Sequence, residues 1–593
     1  MNIVSYIKEC TAKVIKSLYN VDLAFSDITV NLTKPEFEGD YTVVLFGIIR
    51  QLKRTPQQAG DEIGKAFLES YPGLIESYNV IKGFLNLQVS PEFWKGFLQN
   101  NHLSEDPGLM PSTGEKVMVE YSSPNTNKPL HLGHLRNNFL GWSIAETLKT
   151  TGNEVIKSSI INDRGIHICK SMIAWKWFAN GATPADTGKK GDHFVGDYYV
   201  LFNEQYKKEV DLLVARGLSK EEAEKESPIM MQAQQMLRDW EAGDPDVMAL
   251  WNKMNGWVYE GFEQTYRTIG SDFDKTYYES QTYLLGKDIV DEGLKKGVFY
   301  QKEDNSVWID LTEDGLDEKI VRRKDGTSVY ITQDIGLIIQ KYEEFRAGKS
   351  IYVVGDEQNY HFKVLKLIAQ KLNLPSANGI YHLSYGMVEL PSGKMKSREG
   401  TVVDADDLVE QMMRIAAEKT AELGKVKDFS EDELKVLYKT IGLGALKFFL
   451  LRVDPKKKIV FNPQESIDFH GFTGPFVQYT YARIRSVLRK EGGAVSIDSP
   501  LTGDLLPLEK TLIIQLEQFG FELSEAANAF DPSKLAIYVF NLAKTFNSFY
   551  AEHSIANAET EEKKKLRLAI SRLTAATIKK TMNLLGIQVP ERM

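Results

Sequence analysis

Cysteine is almost absent: Cys10 and Cys169 are the only two in 593 residues. That excludes a disulfide framework and any zinc site built on paired thiolates. A metal, if used at all, is then a hard ion with oxygen ligands, most simply Mg2+ carried by a nucleotide, and no protein-bound structural metal is expected. No apolar run reaches the roughly 20 residues of a membrane-spanning helix. The opening MNIVSYIKEC lacks the charged-then-apolar layout of a secretion signal. The expected location is therefore cytoplasmic, with no membrane partner. Excess positive charge is missing too, since 72 Lys and Arg face 81 Asp and Glu for a net charge of −9. This argues against a diffuse nucleic-acid binder but permits a local basic surface, because phosphate contact depends on placement. No internal repeat or low-complexity tract is present.

What remains is an ordinary globular composition, 42% hydrophobic and 26% charged, in a chain too long for a single core. The first hundred residues read as a small α/β module, with a helical period in IVSYIKECTAKVIKSLY and strand alternation in DITVNLT and KGFLNLQVS. A Pro-, Gly- and Ser-rich stretch, EDPGLMPSTGEK, follows as a linker. Then KVMVEY reads as a strand, SSPNTNKPLHLGH as its loop, LRNNFLGWSIAETLKTTG as an amphipathic helix and NEVIKSSIIND as a second strand. Strand, loop, helix and strand make a βαβ unit and hence a parallel sheet. Long polar helical stretches interrupt it, and alternation resumes with SVYIT, SIYVVG and YHLSYGMV. Beyond about residue 400 almost every stretch has a helical period.

The expected fold is thus multidomain α/β. It divides as an N-terminal α/β domain (1–110), the first half of a Rossmann-like catalytic domain (113–180), an insertion (181–325) and the second catalytic half (326–400). A helical stem-contact region (401–464) and an all-α bundle (465–593) complete it.

Two segments carry chemistry. His131 and His134 flank Gly133 on a loop that opens a helix, where unpaired N–H groups and the helix dipole favour an anion. Gly133 admits close approach of a nucleotide, and the imidazoles can donate to phosphate oxygens as charge grows in a transition state. Metal ligation and a purely structural role are the alternatives. In PSGKMKSREGTVV, Lys394, Lys396 and Arg398 lie between glycines, as a clamp over polyphosphate would require. The bland alternative is a solvated basic loop.

HLGH followed some 260 residues later by KMKSR resembles the two signature motifs of class I aminoacyl-tRNA synthetases. The longer strings VEYSSPNTNKPLHLGHLR, DGTSVYITQDIG, VVGDEQNYHFKVL, FTGPFVQYTYARI and GIQVPERM are similar to the arginyl-tRNA synthetase family. That resemblance implies ATP-dependent attachment of L-arginine to tRNA(Arg) through an arginyl-adenylate, with activation dependent on bound tRNA. It implies ATP contacts at His131, Gly133, His134, Lys394, Met395, Lys396, Ser397 and Arg398. Where the class has its second clamp lysine this chain has Ser397, and Lys128 or Lys396 is expected to compensate. His167 likewise stands where the family has glutamine.

A guanidinium needs acceptors, preferably carboxylates. Glu120, Asn125, Tyr330, Asp334 and Gln358 all fall at expected strand ends of the parallel sheet, where ligands bind in such folds. By resemblance these five residues bind arginine, with Ser123 in the same loop. Tyr479, Tyr481, Arg483 and Arg485 offer aromatic and basic groups to unpaired tRNA bases, and Phe84, Asn86 and Gln88 share one strand face that could touch tRNA. Core packing is the alternative for both sets. A monomer is expected. The rivals are a class I synthetase for another amino acid, a small-molecule adenylate-forming ligase and a non-enzymatic tRNA-binding relative.

Overall fold

The alternating segments of the first hundred residues pair as an antiparallel sheet. Strands β1 (Thr29–Leu32), β2 (Tyr41–Val44), β3 (Ile75–Ile81) and β4 (Phe84–Val89) lie in the order β1-β2-β4-β3, with helices Ile3–Tyr19 and Pro56–Ser70 packed against them. In this computed structural model the described residues are 2–391, 403–424, 428–492 and 501–593. Leu85, Leu87 and Val89 of β4 are fully buried, as period-2 alternation demands. The opposite face is not free either: Asn86 is fully buried, accepting from Thr42 Oγ1 at 2.6 Å and donating to Asn79 at 2.7 Å. Of the three residues expected to face tRNA there, only Phe84 and Gln88 keep partial exposure.

The central sheet is parallel throughout. Strands β5 (Lys116–Glu120), β6 (Glu154–Ile161) and β7 (Lys275–Tyr278) run to one edge. A separate antiparallel sheet holds β8 (Tyr300–Gln301), β9 (Val307–Ile309) and β10 (Lys319–Arg322). Strands β11 (Lys349–Gly355) and β12 (Ile380–Tyr385) return to the other edge, giving β12-β11-β5-β6-β7. The order reverses at β5, so a crevice opens beyond the carboxyl ends of β5 and its neighbours. Strand β7 lies inside the stretch 181–325 expected as insertion, yet pairs with β6 in the central sheet.

SVYIT, expected as a strand, instead leads into helix Tyr330–Phe345. Ile331, Ile335 and Ile338 are buried on one face, so a helical period running on to Phe345 wins over a local β-branched run. Helix Leu132–Thr150 is not amphipathic: every residue from Leu135 to Gly141 is buried. It is enclosed because β6, helix Glu431–Leu451 and helix Pro507–Ala529 all pack on it. Its Arg136 donates to the carbonyls of Gly386 (2.6 Å), Pro455 (3.0 Å) and Lys457 (2.8 Å), so the buried guanidinium ties the helix to the last catalytic strand and the segment after residue 453. Gly141 is required there, since a Cβ would lie 2.3 Å from Tyr121.

The helical C-terminal region is as expected. Helices Ala405–Leu423, Glu431–Leu451, Gly474–Lys490, Pro507–Ala529, Ser533–Glu552 and Glu561–Leu584 pack together and against the N-terminal module. Among the described residues no helix is long and apolar enough to cross a membrane.

Candidate active site

After β5 the chain turns at Ser122, whose φ of 64° is left-handed. The turn is held by Asn137 Oδ1, which accepts from the Ser122 N–H at 2.6 Å, and by Asn138, which donates to Ser122 Oγ at 3.2 Å. The loop then delivers His131 as the N-cap of helix Leu132–Thr150. His131 Nδ1 accepts from the Gly133 N–H at 3.1 Å, and His134 Nδ1 accepts from the His131 N–H at 3.1 Å. This is the reciprocal capping box, built from two histidines in place of Ser/Thr and Glu. A backbone N–H can only donate, so each Nδ1 is unprotonated and each neutral ring carries its proton on Nε2. The rings stack with centroids 3.8 Å apart.

Burial and the neighbouring Lys128 ammonium lower the His131 pKa to about 3, and burial, His131 and Lys128 lower that of His134 as well. Near neutral pH both rings are uncharged N–H donors at a helix N-terminus, the arrangement that receives phosphate. Metal ligation is disfavoured because, with both Nδ1 atoms accepting from backbone N–H groups, each Nε2 carries the proton and offers no lone pair.

The same facts fix a pH dependence. The unfolded chain protonates these rings below about pH 6.5, while the folded chain resists until far lower. Their stabilisation is complete above that pH and is lost as pH falls toward 3. Denaturant midpoints measured between pH 7.5 and 5 are expected to fall less in His134→Gln than in the wild type. Equal slopes would mean the ring is not held neutral.

A cavity of about 1160 Å³ opens at the carboxyl ends of the strands. Asn125 enters from the loop after β5, Gln358 follows β11, and Tyr330 and Asp334 come from the first turns of helix Tyr330–Phe345 rather than from a strand end. Asn125 is fixed by a parallel bridge to Asn162, with the Asn162 N–H donating to Pro124 O at 2.9 Å. Asp334 accepts from His361 Nε2 at 2.7 Å. His167 also lines the wall, its Nδ1 3.1 Å from the Tyr199 hydroxyl.

Three carboxylates there, Glu241, Glu279 and Asp325, do not stand out in the sequence; Glu241 is paired with Arg164 at 3.0 Å and Asp325 accepts from the Thr327 hydroxyl at 2.7 Å. Glu279, directly after β7, lines the cavity, and its pKa is raised by burial and by the negative charges of Asp163 and Asp334, against the opposing pull of Arg164. The signal was its place at the end of a sheet strand, hidden because β7 is only four residues long.

Glu120 behaves differently. Its carboxylate forms a buried ion pair with Lys341, whose ammonium lies 4.9 Å from the Tyr352 ring and 5.4 Å from the Tyr277 ring. It does not line the cavity, and neither does the exposed Ser123. Lys341→Met leaves the carboxylate buried and unpaired, so urea denaturation is expected to show a loss of about 3–5 kcal/mol. Adding Glu120→Gln should recover part of it; no loss would mean that Glu120 is free to serve a ligand.

Lys128, His131, Gly133 and His134 lie outside the cavity's wall. Lys394, Met395, Lys396, Ser397 and Arg398 fall outside the described residues. In the C-terminal region Tyr481 is buried and donates to Glu591 at 2.8 Å, and Arg485 pairs with the same carboxylate at 2.7 Å. Those two hold the chain's final residues. Tyr479 and Arg483 line a second cavity of about 1010 Å³, with the Arg483 guanidinium 5.0 Å from the Tyr479 ring and 5.5 Å from the Tyr550 ring.

Residues 100–462 match the family of class I tRNA synthetases (R), catalytic domain, and residues 477–593 match the DALR anticodon binding domain. The chain is 53% identical to an arginine-tRNA ligase of Parabacteroides distasonis, with 98% of each chain covered. It is 50% identical to an arginine-tRNA ligase of Amoebophilus asiaticus over the full length of both. Its fold is similar to that of the Thermus thermophilus arginyl-tRNA synthetase, with a TM-score of 0.83 at 24% identity and both chains fully covered. A catalytic domain and an anticodon domain in one chain, at half identity or better over its whole length, place this chain in the arginyl-tRNA synthetase family of class I tRNA synthetases.

Proposed function

We propose that this chain attaches L-arginine to tRNA(Arg) at the expense of ATP, as a cytoplasmic monomer that brings both substrate sites from one polypeptide. The observation that carries the reading is the pairing of two carboxylates, Asp334 and Glu279, with Asn125 and Gln358 in a cavity whose loop runs straight into two neutral histidine donors. Asp334, Glu279 and Tyr330 take the guanidinium, and Asn125 and Gln358 hold the amino-acid end. The arginine carboxylate attacks the α-phosphate of ATP, giving arginyl-adenylate and pyrophosphate. The terminal ribose hydroxyl of tRNA then attacks the arginyl carbonyl and releases AMP.

Neither step uses a covalent enzyme intermediate, so the site need only align reactants and stabilise charge on phosphate. The Nε2–H groups of His131 and His134 suit that task because, being neutral already, they reorganise little as charge builds. Lys128, three residues before His131, supplies the ammonium that Ser397 cannot. Mg2+ arrives with ATP as part of the substrate. Activation waits on bound tRNA, whose unpaired anticodon-loop bases are offered Tyr479 and Arg483. Charging of total tRNA with radiolabelled arginine, and with lysine as control, tests the proposal: label should enter tRNA from arginine alone, and no arginyl-tRNA would refute it.

A further inference from the structure

The histidine loop does not stand alone on its helix. Leu132 N–H donates to Val403 O at 3.2 Å and Ala405 N–H to Leu130 O at 3.0 Å, so His131 and Asp404 face each other as a two-residue antiparallel bridge. Asp404 Oδ1 in turn caps helix Ala405–Leu423, accepting from the N–H groups of Asp406 at 2.8 Å and Asp407 at 3.2 Å. Whatever fixes the stretch 403–406 therefore fixes the backbone on which His131 sits.

That stretch is gripped from the insertion. Lys190 precedes helix Gly191–Ala215, and its ammonium lies 2.6 Å from Asp406 Oδ2, 3.1 Å from Asp192 Oδ2 and 2.5 Å from Thr265 Oγ1. Thr265, on helix Pro245–Ile269, donates to Asp406 Oδ1 at 3.0 Å. His193 Nε2 reaches Asp406 Oδ2 at 3.1 Å and Asp404 Oδ2 at 3.4 Å. Three helices thus meet at one ammonium, and Asp192 is wholly buried there. Burial alone would raise the Asp406 pKa, yet the hydrogen bonds from His193 and Lys190 hold it near 2. The same insertion helix also touches the loop from below: a Cβ on Gly196 would lie 2.9 Å from Pro129 Cδ, one residue past Lys128.

Asp192, His193 and Asp406 offer ligand atoms within 4.8 Å of one another, a spacing a metal could use. The Lys190 ammonium already bridges the two carboxylates and supplies the positive charge, so the cluster is closed as an ion-pair network.

We infer that Lys190 and Asp406 are positioning residues for ATP activation: touching no reactant, they lock stretch 403–406 and through its bridge set where His131 and His134 present their donors. Such donors lose effect steeply with sub-ångström to ångström displacement. The inference rests on the proposed reaction for its kinetic test but has a readout independent of it.

Lys190→Met is expected to lower the kcat of arginine-dependent ATP–pyrophosphate exchange, measured with tRNA present, by about 10- to 100-fold and to raise the KM for ATP. The KM for arginine, bound in the cavity fixed by other elements, should stay within about threefold. Lys190→Arg, which keeps charge and donors, should recover most of the rate. Thr265→Val, nearly isosteric, should show the same split more weakly and covers the case in which Lys190→Met does not fold. In parallel, the ring C–H NMR signals of His131 and His134, assigned by single replacement, should shift in Thr265→Val and Lys190→Met without any substrate. That spectrum remains decisive even if the wild type proves inactive. Unmoved ring signals in both variants, or equal rises in the two KM values, would overturn the inference.

Discussion

His134→Ala is expected to lower arginine-dependent ATP–pyrophosphate exchange, measured with tRNA present, by about 10²- to 10³-fold, the usual cost of one preorganised donor to a developing oxyanion. The argument is geometric. His134 spends Nδ1 on the helix cap and keeps an Nε2–H with no hydrogen-bond partner among the described residues, on a ring held neutral by burial. Alanine removes both roles, so about 1 kcal/mol of stability should go with the cap. His134→Gln separates them, because glutamine at the third helical position keeps the capping box while removing the imidazole donor. Its melting temperature should approach that of the wild type while exchange stays low. Exchange within threefold of wild type in both variants would take the histidine loop out of the chemistry.

Asp334→Ala carries the second large expectation. An arginine guanidinium held against this carboxylate loses a charge-assisted hydrogen bond that truncation typically costs about 2–5 kcal/mol, so the KM for arginine should rise by about 10²-fold or more. The KM for ATP should barely change, since the histidine loop lies outside the cavity's wall. His361, left without its 2.7 Å partner, gives a secondary effect that Asp334→Asn should reduce. Glu279→Gln should move arginine binding in the same direction. Equal rises in both KM values would undo the guanidinium assignment.

Local patterns explain why much of this was legible in the sequence. KVMVE, the histidine loop with Gly133 between its histidines, the helix it opens and the following strand form a βαβ unit from contiguous residues, and the six long C-terminal helices announce themselves by period. Asn125 and Gln358 follow strands β5 and β11 as their place in the sequence suggests, whereas Asp334 reaches the same cavity from a helix. Where a side chain's surroundings differ from what local pattern suggests, the partner is remote in sequence. Glu120 ends a strand as expected, but Lys341, 221 residues later, claims its carboxylate. Asn86 alternates outward until Thr42 and Asn79 cover it. Tyr481 is drawn inward by Glu591, 110 residues away. Strand β7 was missed because four residues between polar stretches carry too little periodicity, and Glu279 was missed with it. The Lys190 cluster joins residues more than 200 positions apart, so no spacing rule could have suggested it.

The most direct measurement is ATP–pyrophosphate exchange by the wild-type chain with each of the twenty amino acids in turn, in the presence of total tRNA. Exchange supported by arginine and by no other amino acid is the predicted result. Exchange with lysine or an uncharged amino acid, or none with arginine, would contradict it.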